Sequence, residues 1–222
     1  MAEAIFVIKI NHMQTRNNYN TVASFYDHLS GLIFGQELKK PQIDSLQFIT
    51  KDSNILIVGG GTGWILEKIA DIYSSGLRIT YVDSSSKMIE LSKRRNTKFN
   101  SIEFIHASIE DVNLLPQKYD LILTPFFFDG FSQSTSLLVF KKLDESLKVN
   151  GRWIYIDFYI SEKSNYRQRI LLKLMYVFFR YTCKIEAKEL PVIAPYFLSY
   201  KIQYSKSYFK NFIIMQVFQK KQ

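Results

Sequence analysis

The sequence predicts an α/β protein with a mostly parallel β-sheet, and three features lead to that prediction. In the middle of the chain, short runs of β-branched residues alternate with longer segments of helical spacing, the order found in β-α-β units. The first of these runs ends in a cluster of four glycines. After residue 160 the alternation stops, and two strand-like runs end the chain. Since the crossovers of such units are right-handed, we expect helices on both faces of the sheet.

Five strands, with helices between most of them, are predicted over residues 54–159. The run Asn54–Val58 is continuously apolar, which is typical of a strand buried on both faces. Further strands are predicted over residues 77–82, 102–106, 119–123 and 152–159, and helices over residues 64–73, around Met88, Ile89 and Leu91, and over 134–147. Serines 84–86 supply an N-cap for the middle helix. Gly76 is expected to end the helix before it.

The last 60 residues predict helices followed by an antiparallel hairpin. Residues 165–184 form one amphipathic, aromatic-rich helix, and residues 190–200 a shorter one. Two strands follow over residues 200–208 and 212–218, with a connection so short that they should pair antiparallel at the sheet edge. We therefore predict one domain over residues 1–222 with a seven-stranded sheet. Its parts are a helical lid at 13–50, a core at 51–160, and cover helices with the hairpin at 161–222.

Composition narrows the class of protein. The 222 residues are 47% hydrophobic and 22% charged, an ordinary balance for a domain with a core. The one cysteine, Cys183, rules out an intramolecular disulfide framework and fits a reducing cytoplasm, where we expect the protein. Its apolar surroundings indicate a buried side chain. The three histidines lack metal-ligand spacing, so no metal is expected, and no apolar run approaches the roughly 20 residues of a transmembrane segment.

Positive charge is concentrated in the C-terminal third of the chain. Residues 1–140 carry 13 Lys and Arg against 14 Asp and Glu, whereas residues 141–222 carry 16 against 6. Such a region attracts an anionic substrate, nucleic acid or a membrane surface, or is only a solvated face. The basic, aromatic segment 165–184 leaves four interpretations open: an active-site lid, a homodimer contact, a peripheral membrane helix or an RNA-facing surface.

The glycine cluster is a candidate site for a nucleotide-like ligand. Glycines let the backbone approach a ligand, and the first amides of the following helix face it. Dinucleotide-binding loops place their third glycine five residues after the first, where this chain has Trp64. Here the spacing is G-x-G-x-G through Gly59, Gly61 and Gly63. That spacing argues against NAD or FAD as the cofactor of this loop.

Four segments, in order, resemble the motifs of the class I, Rossmann-like S-adenosylmethionine-dependent methyltransferases of the small-molecule type. They are ILIVGGGTGWILEKIA (55–70), ITYVDSSSKMIELSK (79–93), FIHASIEDVNLLPQKYDLIL (104–123) and LKVNGRWIYIDF (147–158). Residues 26–30 are similar to the N-terminal lid of that family, so the resemblance spans roughly residues 19–160. It implies a three-layer fold, S-adenosylmethionine as cofactor, S-adenosylhomocysteine as product and a small-molecule substrate.

The resemblance also implies which residues bind the cofactor. Asp83 would accept hydrogen bonds from both ribose hydroxyls, for which a carboxylate has enough lone pairs. Ser108 and Ile109 would flank the adenine. The other implied cofactor-binding residues are Gly59, Gly61, Thr62, Gly63, Ser84, Met88 and Thr124. Two departures predict weaker cofactor binding, because Ile57 and Ser108 stand where relatives commonly have acidic residues.

Aromatic residues are predicted to form the substrate-binding walls. Phe126, Phe127 and Phe128 follow the fourth strand, where the family places substrate-facing residues, and alternation predicts that two of the three face inward. Tyr19 and Tyr26 in the lid could close over them. Such walls suit a small apolar or aromatic acceptor and attract a cationic sulfonium. Asp129, His28 and Tyr26 are candidates for a general base, with a structural role as the alternative for each.

Other functions remain open from the sequence. An RNA or protein methyltransferase would use the basic C-terminal third, although Thr124-Pro125-Phe126-Phe127 only faintly resembles the N-P-P-Y motif of amino-methylating enzymes. An aminopropyl transferase would share the V-G-G-G-T-G loop, but Asp129 alone is available to hold a polyamine. A non-catalytic S-adenosylmethionine-binding or scaffold relative is the third alternative, because of the two departures.

Overall fold

A computed structural model describes residues 19–21, 23, 31–160 and 165–222, and it contains one seven-stranded sheet. The strands are β1 (Asn54–Val58), β2 (Ser75–Asp83), β3 (Phe99–His106), β4 (Tyr119–Pro125), β5 (Leu147–Phe158), β6 (Tyr200–Tyr208) and β7 (Ile213–Lys220). The α-helices with defined bounds are α1 (Lys39–Ser45), α2 (Trp64–Ile72), α3 (Ser86–Lys93), α4 (Gln133–Ser146) and α5 (Tyr166–Cys183). Short 3-10 turns include Tyr19–Thr21, Ile109–Asp111 and Phe128–Gly130.

The strands lie in the order β3-β2-β1-β4-β5-β7-β6. β1 to β5 are parallel, and β7 inserts antiparallel between β5 and β6. The predicted α/β fold with an antiparallel C-terminal hairpin is therefore confirmed. Because the chain moves outward from β1 in one direction and resumes at β4 on the other side, the carboxyl ends of β1 and β4 flank a topological switch point. Open α/β sheets bind their ligands at such a point.

Two apolar layers cover the sheet, as alternation along β1 shows. Ile55 and Ile57 belong to a cluster that includes residues of α2 and α5. Leu56 and Val58 belong to a separate cluster that includes residues of α4. All four side chains are at most 1% exposed, so β1 is a central strand buried on both faces, as its continuous apolar run predicts. Cys183 is also fully buried.

Two local predictions were wrong. Residues 190–200 do not form an α-helix; only Ala194–Phe197 forms a 3-10 turn. Pro191 and Pro195 explain the difference, since a proline disfavours the helical conformation of the residue before it. Gly76 does not end α2, whose C-cap is Tyr73. It lies within β2 with φ +94°, where a side chain would collide with Asp52.

Strand β5 is longer than predicted, because it begins at Leu147 and includes Asn150 and Gly151. The register between β4 and β5 shifts after the pair Tyr119–Leu147, and Asn150 adopts φ +62°. This irregularity places a turn-like sequence inside a strand. In the part of the chain that the structure describes, no helix combines the length and the apolar character needed to cross a membrane.

Candidate functional site

A cavity of about 620 Å³ opens at the switch point, within the size range of small-molecule sites. Its floor is the glycine loop after β1, and one wall comes from the ends of β2 and β3. The opposite wall comes from the end of β4 and from α5, and Tyr19 also contributes to the lining. The predicted cofactor and substrate regions thus open into a single space.

Three glycines of the loop are required for different structural reasons. Gly59, Gly61 and Gly63 all have positive φ, between +64° and +75°, a conformation that costs other residues energy. A Cβ on Gly59 would lie 2.8 Å from Phe127 Cδ2, and one on Gly63 would lie 2.5 Å from the Cβ of Ser92 in α3. At Gly61, by contrast, no atom of the described residues other than its two chain neighbours lies within 4 Å of such a Cβ. Gly61 therefore leaves open space above the loop.

Gly63 itself does not line the cavity. It is the N-cap of α2 and lies against α3. Its lack of a side chain therefore allows α3 to pack close to the start of α2. Thr62 does line the cavity. The Arg95 side chain fixes its backbone, with Nε donating to the Thr62 carbonyl at 3.0 Å.

Asp83, at the end of β2, holds the glycine loop in place. Its carboxylate accepts hydrogen bonds from the backbone N–H of Gly61 at 3.0 Å and of Ser85 at 2.9 Å. Tyr81, two residues earlier on the same face of the strand, donates its hydroxyl to the Gly61 carbonyl at 3.0 Å. The contacts with Asp83 and Tyr81 fix the peptide groups of Gly61 from both sides. The carboxylate retains lone pairs for further donors on the cavity side.

Burial raises the pKa of Asp83 to about 6, against the opposing effects of its hydrogen bonds from Ser85 and Gly61 and of nearby His106. The side chain is only 8% exposed. A carboxylate kept in this position at a desolvation cost is typical of a functional site.

The turns after β2 and β3 form the second part of the cofactor region. Ser84, Met88, Ser108 and Ile109 all line the cavity. Met88 and Ile109 are at most 3% exposed and present apolar surfaces suited to a flat ring. Four predicted cofactor residues therefore converge on the same side of the cavity as Asp83.

The structure brings two of the three predicted phenylalanines to the cavity. Phe126 and Phe127 line it, and Phe126 adopts φ +51° directly after β4. This turn presents two consecutive rings to the cavity, whereas a continuing strand would have alternated them. The Phe126 ring lies 5.1 Å from that of Phe158. Two of the three phenylalanines therefore line the cavity, and their contact with a substrate stays a prediction.

Two predicted residues lie away from the cavity. The Phe128 side chain is fully buried against Trp153 and Tyr155. The Thr124 side chain is also fully buried; its hydroxyl accepts a hydrogen bond from Trp153 Nε1 at 3.0 Å and donates to the Ile154 carbonyl. Thr124 faces inward because neighbouring residues of β4 point to opposite faces, whereas Phe128 begins the 3-10 turn Phe128–Gly130 and packs into the apolar cluster that contains Trp153. Neither side chain is placed to contact a ligand in the cavity.

The lid residues are only partly described. Tyr19 lines the cavity and its ring lies 6.1 Å from Phe179 of α5. The neighbouring Asn20 accepts hydrogen bonds from the Ser85 hydroxyl at 2.7 Å and from the Lys87 backbone, which anchors this turn to the start of α3. Tyr26 and His28 lie outside the described residues, so their predicted roles remain predictions.

An acid pair occupies the end of the cavity near β4 and β5. Asp129 lines the cavity. Asp157 is 1% exposed and accepts hydrogen bonds from the backbone N–H of Phe128 at 3.1 Å and of Phe158 at 2.8 Å. Burial raises the pKa of Asp129 to about 7, and burial together with the charge of Asp129 raises the pKa of Asp157 well above its usual range. The pair therefore retains at least one proton near neutral pH.

Helix α5 contributes to this cavity, which fits the active-site lid that the sequence left open as one of four interpretations of segment 165–184. Leu171, Leu172, Met175 and Phe179 line it from that helix, and the Tyr176 hydroxyl donates to the Asp129 carbonyl at 3.2 Å. The aromatic content of segment 165–184 was the available signal, but a single helix does not specify where it packs. Among the described residues, no group of three or more His, Cys, Asp or Glu side chains is placed to hold a metal ion.

Comparison with known proteins gives matches across the core of this chain. The family model of a methyltransferase domain matches residues 55–151. The malonyl-acyl-carrier-protein O-methyltransferase of Priestia megaterium is 28% identical over 149 residues, which cover 67% of this chain and 53% of that protein. The ubiquinone/menaquinone biosynthesis C-methyltransferase UbiE of Francisella tularensis subsp. novicida is 25% identical over 145 residues, covering 63% and 57%. The chain spans about half the length of these curated relatives.

A solved structure has the same fold at low sequence identity. It is the Burkholderia thailandensis 1,6-didemethyltoxoflavin-N1-methyltransferase, determined with bound 1,6-didemethyltoxoflavin and S-adenosylhomocysteine. The TM-score is 0.60 at 12% identity, with 90% of this chain and 85% of that chain covered. At this identity the match establishes the fold alone.

Proposed function

We propose that this chain, as a member of the class I S-adenosylmethionine-dependent methyltransferase family, transfers a methyl group to a small apolar or aromatic acceptor. One observation carries the proposal: a single cavity joins the glycine loop and Asp83 to a wall of phenylalanines and α5 side chains. A donor on one side and an acceptor on the other would share the same enclosed space.

The residues on the first side fit the proposed cofactor. Gly61 leaves open space above the loop, Asp83 offers acceptor lone pairs to hydroxyl groups, and Met88 with Ile109 offers apolar surface to a purine ring. When bound, S-adenosylmethionine supplies a methyl carbon that is activated by a positively charged sulfur. The chain's own task is then to align the acceptor with that carbon and to exclude water.

The residues on the second side fit an apolar acceptor. Phe126, Phe127 and Phe158 contribute rings from the sheet side, and Leu171 and Met175 contribute apolar surface from α5. Aromatic faces also favour a cation near them. Asp129 and Glu186 are carboxyl groups that line this side, and a carboxylate there could take the proton that a hydroxyl or amine acceptor loses.

The first experiment titrates the protein calorimetrically with S-adenosylmethionine, S-adenosylhomocysteine and, as a control, NAD. We expect micromolar binding of the first two and none of NAD. Asp83→Ala should weaken binding by roughly 1.5–3 kcal/mol, the contribution of a hydrogen bond to a charged group. Asp83→Asn keeps the shape of the side chain and should weaken binding in the same direction if Ala proves unstable.

Asp71→Ala is the matched control, since Asp71 is a surface carboxylate of α2 paired with Lys68 and Lys98. It should bind both ligands like the unchanged protein. Absence of binding to either adenosyl ligand by folded protein would overturn the proposed methyl transfer. It would favour the non-catalytic alternative.

A further inference from the structure

The outward face of α5 carries an apolar stripe. Tyr166, Ile170, Leu174, Val177 and Tyr181 repeat every three or four residues, the spacing of one helix face. Their exposed fractions are 76%, 38%, 61%, 51% and 85%. We call these five residues the α5 stripe. Large apolar side chains exposed in a continuous row mark a surface that binds a partner.

Basic residues border the α5 stripe. Arg169, Lys173 and Arg180 follow a parallel line along one side of it, and Arg167 lies on the other side at 100° of helical rotation per residue. Lys184 caps the C-terminal end. Residues 165–185 contain five Lys and Arg and no Asp or Glu. The partner of this face is therefore apolar and negatively charged at once.

The α5 stripe is continuous with the cavity. Leu174 is 61% exposed and also lines the cavity, as do Leu171 and Phe178 on the adjoining side of the helix. Ile33, 42% exposed, lines the same cavity from the helical turn at residues 31–34. Apolar side chains therefore connect this surface with the cavity at Leu174.

We propose that the α5 stripe docks on the surface of an anionic lipid bilayer and that the acceptor is a lipophilic molecule that enters from the bilayer past Leu174. The choice of acceptor rests on the proposed methyltransferase function; the docking does not. A helix with an apolar face and basic flanks lies in the membrane interface, where its cations meet anionic headgroups. Tyr166 and Tyr181 are residues of the type favoured at that depth.

Charge argues against two other occupants of the α5 stripe. A second copy packed by two-fold symmetry would bring the same basic rows together, and like charges would repel. RNA would use the basic residues, but Ile170, Leu174 and Val177 between them offer neither hydrogen bonds nor stacking surfaces. A bilayer satisfies both the apolar and the basic residues.

The test is co-sedimentation with vesicles of phosphatidylcholine containing 30% phosphatidylserine, compared with vesicles of phosphatidylcholine alone. We expect binding to the anionic vesicles that weakens between low and high salt. Val177→Glu/Tyr181→Glu and Lys173→Glu/Arg180→Glu should each weaken it at least tenfold; none of these four residues is assigned to cofactor binding. Lys141→Glu/Lys201→Glu makes the same charge change on other exposed elements and should bind within about twofold of the unchanged protein.

Calorimetric titration with S-adenosylhomocysteine accompanies each variant, so that failure of docking and failure of the proposed function are distinguished. Normal cofactor binding without vesicle binding would overturn the docking alone. Equal vesicle binding by all variants would also overturn it. So would a dimer in light scattering that Val177→Glu/Tyr181→Glu dissociates, or salt-sensitive RNA binding that Lys173→Glu/Arg180→Glu abolishes, in the absence of vesicle binding.

Discussion

Asp83 combines two roles that compete energetically. Its carboxylate fixes the glycine loop through Gly61 and Ser85, and in the proposed function it also accepts hydrogen bonds from the cofactor. Both roles need the ionised form, yet burial raises its pKa to about 6. The ionised form therefore dominates at neutral pH and is lost in mildly acidic solution.

The affinity for S-adenosylhomocysteine should therefore depend on pH. Because binding requires the carboxylate, the affinity should be constant above pH 6 and fall as the pH drops below it, by at most about tenfold per unit for one proton. Calorimetry between pH 5 and 7.5 measures this. Asp83→Asn cannot titrate and should show weak binding without this step. A wild-type affinity that is equal at pH 5 and pH 7 would contradict the assignment of Asp83.

Asp129 should lower stability at alkaline pH. Its pKa is about 7 in the folded protein and about 3.9 in an unfolded chain. The folded state therefore binds more protons between these values, and stability falls as the pH rises through that window. Asp129→Asn removes this charge and should raise the Tm at pH 8 by about 2 °C or more, with little change at pH 4.

Thermal unfolding at the two pH values, with the exposed Asp71→Asn as control, tests the effect of Asp129. Binding of S-adenosylhomocysteine should be unchanged in Asp129→Asn, because Asp129 lies on the acceptor side. A lower Tm at pH 8 would mean that the Asp129 carboxylate is stabilising, which contradicts the raised pKa.

At this scale the sequence predicted the cofactor region better than the acceptor region. Asp83 is the last residue of β2, Ser108 and Ile109 lie in the turn after β3, and a motif with fixed spacing places them. Thr124 was misplaced because its side chain lies on the buried face of β4, and Phe128 was misplaced because the left-handed turn at Phe126 ends the strand alternation before it. The hydrogen bonds of Asn20 join residues more than 60 positions apart, and sequence pattern contains no signal for such contacts.

At the scale of elements, the start of α2 depends on two glycines with different surroundings. Both Gly61 and Gly63 have positive φ, but Gly63 also contacts Ser92 of α3, whereas the described residues leave space at Gly61. Gly61→Ala should therefore lower the free energy of unfolding by only about 1–2 kcal/mol, the energy of placing a residue with a Cβ in the left-handed conformation. Gly63→Ala should lower the free energy of unfolding by more, because α3 must move away from the added methyl group.

The two glycine variants separate stability from binding. Urea unfolding should rank Gly63→Ala below Gly61→Ala in free energy of unfolding. Calorimetry should show that Gly61→Ala, although the more stable of the two, loses at least tenfold in affinity for S-adenosylhomocysteine, because its methyl group occupies the open space above the loop. The opposite stability order would mean that α3 packs differently from the structure described.

Element type was predictable where periodicity and strand order agreed. α2, α4 and α5 lie within one or two residues of their predicted bounds. The prediction failed over residues 190–200, where apolar spacing indicated a helix but two prolines prevent it. The packing of α5 over the cavity was only one of four interpretations left open by the sequence, because amphipathic spacing specifies a buried face and not the element against which it packs.

At the scale of the whole molecule, the cavity lies between the first half of the chain and the last. The cofactor region comes from residues 58–111, and much of the acceptor wall comes from residues 125–186. A ligand that binds only the folded chain stabilises it by about 2.7 kcal/mol at 100 times its Kd. For a domain of this size, that corresponds to a rise in Tm of roughly 5–10 °C.

We therefore expect S-adenosylhomocysteine at 100 times its Kd to raise the Tm by that amount, and NAD at the same concentration to leave it unchanged. Asp83→Asn should lose most of the shift at this concentration and regain it at higher ligand concentration, since its weaker binding obeys the same mass action. Val177→Glu/Tyr181→Glu should keep the full shift, because neither of these two residues is among those that line the cavity. If Val177→Glu/Tyr181→Glu also lost the rise in Tm, changes at the α5 stripe would affect cofactor binding, and docking at the α5 stripe would be coupled to it.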